Sequence, residues 1–186
     1  MGKITALMHW LLGLALVLGL AGCASDDARY AALPNGAGGA SVIENGPPVQ
    51  CAAYARDHSQ VKLFGDAYTW WDQAAGKYPQ SALPQTGAVM VLTGYAGPAR
   101  GHVAVVRKIV SPREIRVDHA DWLNDGAVYL DDPVQDVSRW NDWSVVRVYN
   151  IKTGSWGAKT YAVQGFIGSA TGPDRLARAD SGKTNN

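Results

Sequence analysis

Residues 101–122 read GHVAVVRKIVSPREIRVDHADW, and this stretch decides the fold. Two apolar runs, residues 102–110 and 114–122, flank a segment that favours a type I turn, because Ser111 suits its first position and Pro112 its second. The stretch therefore predicts a β-hairpin. Further short runs bounded by turn residues predict strands at residues 88–92, 127–130, 144–149 and 160–163.

Two helices are predicted before these strands. Pro47 and Pro48 precede residues 49–56, VQCAAYAR, and proline is tolerated at the start of a helix but not deeper, so Cys51 lies near the helix N-terminus. A second helix is predicted at residues 67–75. Helices followed by strands indicate an α+β domain, in which N-terminal helices pack on one antiparallel β-sheet.

The length and charge of the chain limit what it can be. It has 186 residues and a formal net charge of +1, so no strong field attracts nucleic acid or an acidic membrane surface. Residues 23–48 are predicted to be a flexible tether, and residues 170–186 a disordered tail. Residues 49–169, roughly 120 positions, remain as one domain with a single core.

Residues 1–22 are predicted to be an export signal. Lys3 supplies a positive start, and residues 4–20 are uncharged and apolar. The stretch LAGC at residues 20–23 resembles the bacterial lipoprotein pattern, which implies cleavage before Cys23 and a diacylglycerol on its thiol. An uncleaved signal-anchor helix is the alternative, since a span needs about 17 apolar residues. The predicted location is the cell envelope, on a membrane and facing the periplasm or the cell wall, with the choice of membrane left open.

Cys51 is the first candidate for chemistry. The chain has two cysteines, and lipidation of Cys23 would leave Cys51 as a lone thiol in an exported protein. A helix N-terminus carries about half a positive charge, which favours a thiolate and therefore a nucleophile. A buried, inert cysteine is the alternative.

His102 is the candidate base. It opens an apolar strand at the rim of the predicted sheet, where it can face a cleft, and a cysteine nucleophile needs a nearby histidine. His58 is a rival, but it lies two helical turns from Cys51, too far for a hydrogen bond to sulfur.

His119 and Asp121 are the candidates for the group that orients His102. Alternation along the strand places both on one face. In each of two hairpin registers, Asp121 lies nearer to His102 than His119 does, and a carboxylate stabilises an imidazolium. We therefore expect Asp121 to hold His102, and His119 to be a second polar contact or a substrate-binding residue.

A metal hydrolase is the alternative enzyme class. Four side chains of these motifs are possible zinc ligands: Cys51, His102, His119 and Asp121. No His-Glu-x-x-His or Cys-x-x-Cys spacing is present, and the last two candidates stand only two positions apart on a strand. We expect neither a metal nor a cofactor.

Five short motifs point to a family. They are residues 50–56 (QCAAYAR), 65–71 (GDAYTWW), 87–89 (GAV), 101–106 (GHVAVV) and 119–122 (HADW). In order and spacing they resemble the CHAP domains, named for cysteine- and histidine-dependent amidohydrolases and peptidases, over residues 49–149. The resemblance implies a papain-like fold and hydrolysis of peptide or amide bonds, usually in peptidoglycan, as an amidase or an endopeptidase.

The chain also departs from the family pattern. Many relatives carry Glu where His119 stands and Asn where Asp121 stands, although each replacement can accept a hydrogen bond from imidazole. Three aromatic side chains are predicted to line a groove for sugar or peptide, with core packing as the alternative: Trp70, Trp71 and Trp122. A non-catalytic wall-binding lipoprotein of the same fold, and an amidase of small molecules, are the other functions considered.

Overall fold

The computed structural model describes residues 39–168, and both predicted helices are present. Helix α1 spans Cys51–His58, and a 3-10 turn, Ala67–Thr69, leads into α2, Trp70–Ala74. The strands are β1 (Ser41–Ile43), β2 (Gln80–Ser81), β3 (Val89–Thr93), β4 (His102–Ser111), β5 (Glu114–Ala120), β6 (Val128–Asp136), β7 (Val145–Asn150) and β8 (Ser155–Ile167). The predicted signal peptide, the lipidation site Cys23 and the C-terminal tail lie outside the described residues.

Six strands close into an antiparallel barrel. Strand β3 pairs with β4, β4 with β5 and β5 with β6, and the ring continues through β7 and β8 back to β3. The short strands β1 and β2 pair with β6 and β8 outside the ring. The expected helices and antiparallel strands are present, and the expected antiparallel sheet closes into a barrel. Residues 39–168 are mostly β, with two short helices.

Strand β6 is one cause of the closure. Its first part was predicted at residues 127–130, but the strand runs on to pair with both β5 and β7. Asp131 and Asp132, followed by Pro133, interrupt the apolar pattern and so resemble a loop. Asp131 has φ 52°, which shifts the alternation of the strand at that point.

Strand β8 is the other cause. It was predicted at residues 160–163 and spans thirteen residues, which pair first with β7 and then with β3. The register against β3 shifts next to Gly165, and an irregularity of this kind bends a strand so that it can turn the corner of a barrel. A Cβ at Gly165 would collide with the indole ring of Trp71, so this bend is also where α2 rests on the barrel.

The barrel wall separates two apolar cores. On β4, Ala104 and Val106 face the barrel interior, whereas Val103 and Val105 face the helices and pack with Trp70. Because both faces of β4 are buried, its first half is a continuous apolar run rather than an alternating one. The helices therefore cover the outer side of the same strand that His102 opens.

The start of α1 is fixed by the loop between β5 and β6. The N–H of Val49 donates to the carbonyl of Gly126 at 3.0 Å, and a Cβ at Gly126 would lie 2.7 Å from Cβ of Pro48. Gly126 also has φ 68°, a backbone conformation that residues other than glycine rarely adopt. No helix within residues 39–168 combines the length and apolar character needed to cross a bilayer.

The end of the predicted tether belongs to the folded domain. Residues 41–43 form β1, in which Val42 lies opposite Tyr129 and packs against the interior core. The expectation of a flexible tether is therefore wrong for these residues, because a single apolar pair was enough to add a strand to β6. Residues 24–38 of the predicted tether lie outside the described part of the chain.

Candidate active site

Cys51 is the first residue of α1 and is partly buried. Within the helix, the N–H of Tyr54 is the first to bond, to the carbonyl of Gln50 at 2.9 Å, so the three preceding N–H groups have no partner inside the helix. The backbone N–H groups of Val103 and Ala52 lie near enough to the thiol to lower its pKa. The sulfur therefore lies against the start of β4, next to His102 in the chain.

Burial controls the charge of the thiol. Desolvation raises the pKa of Cys51 above its usual value, the backbone N–H groups of Val103 and Ala52 oppose this, and the carboxylate of Asp121 adds to the rise. The expectation that the helix N-terminus favours a thiolate is wrong, because desolvation outweighs the backbone donors. The resting nucleophile is a neutral thiol, which needs a base.

His102 is a buried neutral imidazole. Only 1% of its surface is exposed, and its ring centroid lies 5.0 Å from that of Tyr95 and 4.9 Å from that of Trp122. Burial lowers its pKa well below the usual value, and the neighbouring His119 lowers it further. A neutral imidazole keeps one nitrogen lone pair free to accept a proton.

A chain of hydrogen bonds runs from His102 into the barrel. Nε2 of His102 lies 2.8 Å from Nδ1 of His119, and Nε2 of His119 lies 2.9 Å from Oδ2 of Asp132. The three side chains come from β4, β5 and β6, which are consecutive in the sheet, and all three are buried. Nδ1 is the ring nitrogen of His102 that this chain of hydrogen bonds leaves unused.

The structure places His119, rather than Asp121, on the ring of His102. Strand β5 ends one residue before Asp121, whose φ of 59° turns the chain away. Its Oδ1 accepts the N–H of Gly126 at 2.8 Å, and its Oδ2 lies 3.4 Å from Nε2 of Gln50. The expected contact between Asp121 and His102 is therefore wrong, because the side chain caps a loop instead of following the strand.

The hairpin register itself was not the cause of this error. At the turn, Ser111 pairs with Glu114, as in one of the two registers considered. Further along, Val105 pairs with Asp118, as in the other register, and the pairing shifts twice between these two points. If β5 continued as a regular strand in the second register, Asp121 would lie opposite His102. The backbone conformation of one residue decided the outcome.

Two of the predicted groove tryptophans are structural. Trp70 is fully buried, and its indole N–H donates to the carbonyl of Gly65 at 3.2 Å. Trp71 packs against the outer core and over Gly165. Their assignment to a substrate groove is wrong, because the helix directs both rings towards the barrel wall.

Trp122 covers the histidines. It is 5% exposed, and its ring lies 5.2 Å from His119 and 5.0 Å from Tyr161. With Tyr95 it encloses the polar chain in aromatic surface. Its position excludes water from the hydrogen bonds rather than forming an open groove.

A cleft of about 330 Å³ opens at Cys51. Its walls are the start of α1, the loop before α2 and the loop before β4. A Cβ at Gly101 would lie 2.6 Å from the backbone nitrogen of Tyr68, so only glycine lets the two loops meet. Asp66 and Arg100 line the same cleft and give it one acidic and one basic side chain.

Sequence reasoning missed Asp132. Tyr129 and Asp132 both contact His119, although they stand three apart on one strand, where alternation would place them on opposite faces. The positive φ of Asp131 breaks the alternation of the strand between them, so both side chains face His119. The pair of aspartates was a visible signal, but it pointed to a loop.

The zinc-ligand candidates do not form a metal centre. Within residues 39–168, no three side chains of His, Cys, Asp or Glu converge in a way that could hold a metal ion. Asp121 is bonded to Gly126 rather than to His102 or His119.

The chain was compared with known proteins and families. No curated protein and no solved structure matches it. One family does match, over a segment that holds Cys51, His102, His119 and Asp121 but ends before Asp132. With a cysteine at a helix start and a histidine opening the strand beside it, residues 42–121 match the family model of the CHAP domain, whose members are generally amidohydrolases and peptidases that act on peptidoglycan.

Proposed function

We propose that this chain is a cysteine hydrolase that cleaves amide or peptide bonds in peptidoglycan. The observation that carries the proposal is Cys51 at a cleft, with its thiol against the backbone of Val103 and with the preceding residue, His102, a buried neutral imidazole bonded through Nε2 to His119. The match of residues 42–121 to the CHAP domain supports the reaction class.

Proton transfer from Cys51 starts the reaction. Because Nε2 of His102 is bonded to His119, Nδ1 is the nitrogen that takes the thiol proton. Burial raises the pKa of the thiol and lowers that of the imidazole, so the two groups rest as a neutral pair. His119 orients the ring, the role of the third member in serine and cysteine triads.

Acyl transfer follows. The thiolate of Cys51 attacks the carbonyl carbon, and the N–H groups at the start of α1 donate to the resulting oxyanion. The imidazolium of His102 gives its proton to the leaving amine as the C–N bond breaks, which leaves a thioester. His102 then deprotonates a water, which hydrolyses the thioester and restores the thiol.

The charges of the cleft suit a peptide substrate. Asp66 and Arg100 lie on its walls, and the peptides of peptidoglycan carry both amino and carboxylate groups. Complementary charges of this kind fix the orientation of a substrate more than they raise its affinity. An amidase and an endopeptidase use the same chemistry, and the released products distinguish them.

We also propose that the protein is exported and held at a membrane through a lipid on Cys23. The charged start, the apolar run and the LAGC stretch at residues 20–23 support this. A substrate in the cell wall requires an exported enzyme, so the two proposals agree.

The hydrolytic proposal is tested by incubating the full chain, in detergent, with purified peptidoglycan and identifying soluble products by mass spectrometry. The unmodified protein should release fragments, and Cys51→Ala and His102→Ala should each lower the rate by at least about 10³-fold, since members of a catalytic unit are individually essential. Iodoacetamide should block release, and chelators should not.

His58→Ala is the matched control. Its ring stacks on Tyr54 at 4.0 Å, and it lies on the same helix as Cys51 but is not among the residues that line the cleft, so the rate should be unchanged. Activity that survives Cys51→Ala contradicts the nucleophile, and loss on chelation alone favours the metal hydrolase. Binding to peptidoglycan without release favours the non-catalytic wall-binding protein.

A further inference from the structure

Asp132 is a buried carboxyl group that the reaction above does not use. It lies opposite Val117 in the β5–β6 pairing and has no exposed surface. Its Oδ2 lies 2.9 Å from Nε2 of His119, and its Oδ1 has no hydrogen-bond partner among the described residues. Burying a carboxylate is costly unless it is paired and hydrogen-bonded, so His119 is the contact that stabilises it.

If Asp132 is a carboxylate, the hydrogen bonds that link His102, His119 and Asp132 allow only one arrangement of hydrogens. An ionised carboxylate only accepts, so His119 must carry its hydrogen on Nε2. Nδ1 of the neutral His119 then accepts, so His102 must carry its hydrogen on Nε2. The lone pair of His102 is left on Nδ1, the nitrogen available to Cys51.

The reverse arrangement is unreactive. If position 132 donated to Nε2 of His119, then Nδ1 of His119 would donate to Nε2 of His102. Neutral His102 would carry its hydrogen on Nδ1, which could not take the thiol proton. The heavy atoms would stay in place, and only the hydrogens would differ.

We propose that Asp132 is a positioning residue that sets the tautomer of His119 and, through it, the tautomer of His102, so that the basic nitrogen faces Cys51. The inference rests on the proposed function, in which His102 is the base. Asp132 lies beyond residue 121, where the match to the CHAP domain ends.

Burial and charged neighbours shift the pKa of Asp132 in opposite directions. Burial raises its pKa, the hydrogen bond from His119 and the positive charge of Arg116 lower it, and the charge of Asp131 raises it. Burial is the largest of these influences, so the pKa of Asp132 lies above its usual value, and loss of the His119 contact would raise it further. The carboxylate and the Nε2–H tautomer of His119 therefore stabilise one another.

Nitrogen-15 NMR of the imidazole rings tests the proposal directly, because protonated and unprotonated ring nitrogens have distinct shifts. In the full chain at pH 7.5, we expect His102 and His119 to carry hydrogen on Nε2 only. Asp132→Val removes the acceptor, and forms with hydrogen on Nδ1 should appear, while the His58 signals stay unchanged. Spectra of His102 and His119 identical to those of the unmodified protein would overturn the proposal.

Kinetics in two backgrounds give an independent test. In the unmodified protein, Asp132→Val should lower kcat by about 10- to 100-fold, as loss of a partner behind a functional histidine does. In His119→Asn, the amide oxygen can accept from His102 without help, so Asp132→Val should change kcat by less than about twofold. Equal losses in both backgrounds would show a merely structural role and contradict the proposal.

The two proposals fail in different ways. If Cys51→Ala keeps the activity, the proposed reaction is wrong, but the tautomers still report on Asp132 because they do not depend on turnover. Near-UV circular dichroism checks that Asp132→Val is folded. If it is not, Asp132→Ala takes its place, with the same expected spectra and the same contradicting result.

Discussion

At the scale of single residues, desolvation sets the state in which the site rests. Burial raises the pKa of Cys51 and lowers that of His102, so each group favours its neutral form. Thiol reactivity towards alkylating agents and oxidants follows the thiolate fraction. A neutral Cys51 is therefore protected until a substrate in the cleft makes proton transfer favourable.

The roles of His119 and Asp121 can be separated by substitution. His119 contacts His102 directly, so His119→Ala should lower kcat by about 100-fold through loss of ring orientation. Asp121→Asn keeps the Oδ1 that accepts from Gly126 and removes no hydrogen bond to His102 or His119, so it should leave kcat within about threefold. Steady-state kinetics on released fragments measure both.

Asp121→Asn should also change the thiol. The carboxylate raises the pKa of Cys51, so a neutral amide lowers that pKa and increases the thiolate fraction at pH 7. Alkylation by iodoacetamide should then be faster than in the unmodified protein. A larger loss of kcat in Asp121→Asn than in His119→Ala would return the orienting role to Asp121.

The sequence was sufficient to single out Cys51 and His102 as candidates, because each is marked by an element boundary: two prolines before a helix and a glycine before a strand. It could not separate His119 from Asp121, since the difference is the φ angle of one residue. The sequence could not identify Asp132, because the positive φ at Asp131 changes which face of the strand the next side chain occupies.

At the scale of elements, the cleft depends on how closely two loops approach. The loop before β4 passes the loop before α2 at Gly101, where a Cβ would lie 2.6 Å from the nitrogen of Tyr68 and 2.7 Å from its Cα. Both loops contribute walls to the cleft at Cys51. The glycine of the Gly-His motif is therefore a packing requirement for the position of His102.

Gly101→Ala tests this contact. The added methyl group must push the loops apart, which should cost about 1–3 kcal/mol of unfolding free energy. Because a displacement of about 1 Å near reacting groups can cost 10²-fold, kcat/KM should fall by about 10- to 100-fold. Urea unfolding and fragment release measure the two effects.

Gly46→Ala is the matched control for this change. A Cβ there would meet nothing within 4 Å, so stability and activity should stay at their unmodified values. Gly101→Ala kinetics equal to those of Gly46→Ala would show that the loops do not set the cleft.

The strands were predictable where apolar and polar residues alternate or where both faces are apolar, as in β4 and β5. The closure of the barrel was not, because it depends on the polar half of β6 and on the bend at Gly165 in β8. Bends of this kind depend on long-range pairing, which local patterns do not encode.

At the scale of the whole molecule, the proposed nucleophile and the proposed base belong to different cores. Cys51 packs with the helices on the outer side of the barrel wall, whereas His119 and Asp132, which hold His102, lie on its inner side. The site forms at the rim where the two meet. Its geometry therefore depends on both cores.

The proposed lipid anchor concerns the whole molecule and is tested by Cys23→Ser. The substitution removes the thiol that would carry the lipid, and burial of the acyl chains, about 0.8 kcal/mol per CH₂, is the energy that would hold the domain at a membrane. The variant should appear in the soluble fraction or as an unprocessed precursor. Fractionation and migration identical to the unmodified protein would contradict lipidation at Cys23.

Closure of the barrel matters for copies confined to a surface. Each of its six strands is paired on both sides, and the marginal strands β1 and β2 span only three and two residues. Exposed strand edges are templates to which another chain can add, and short or covered edges deny that template. Copies held at a membrane by the proposed lipid would collide often in two dimensions, and this architecture would let them crowd without polymerising edge to edge.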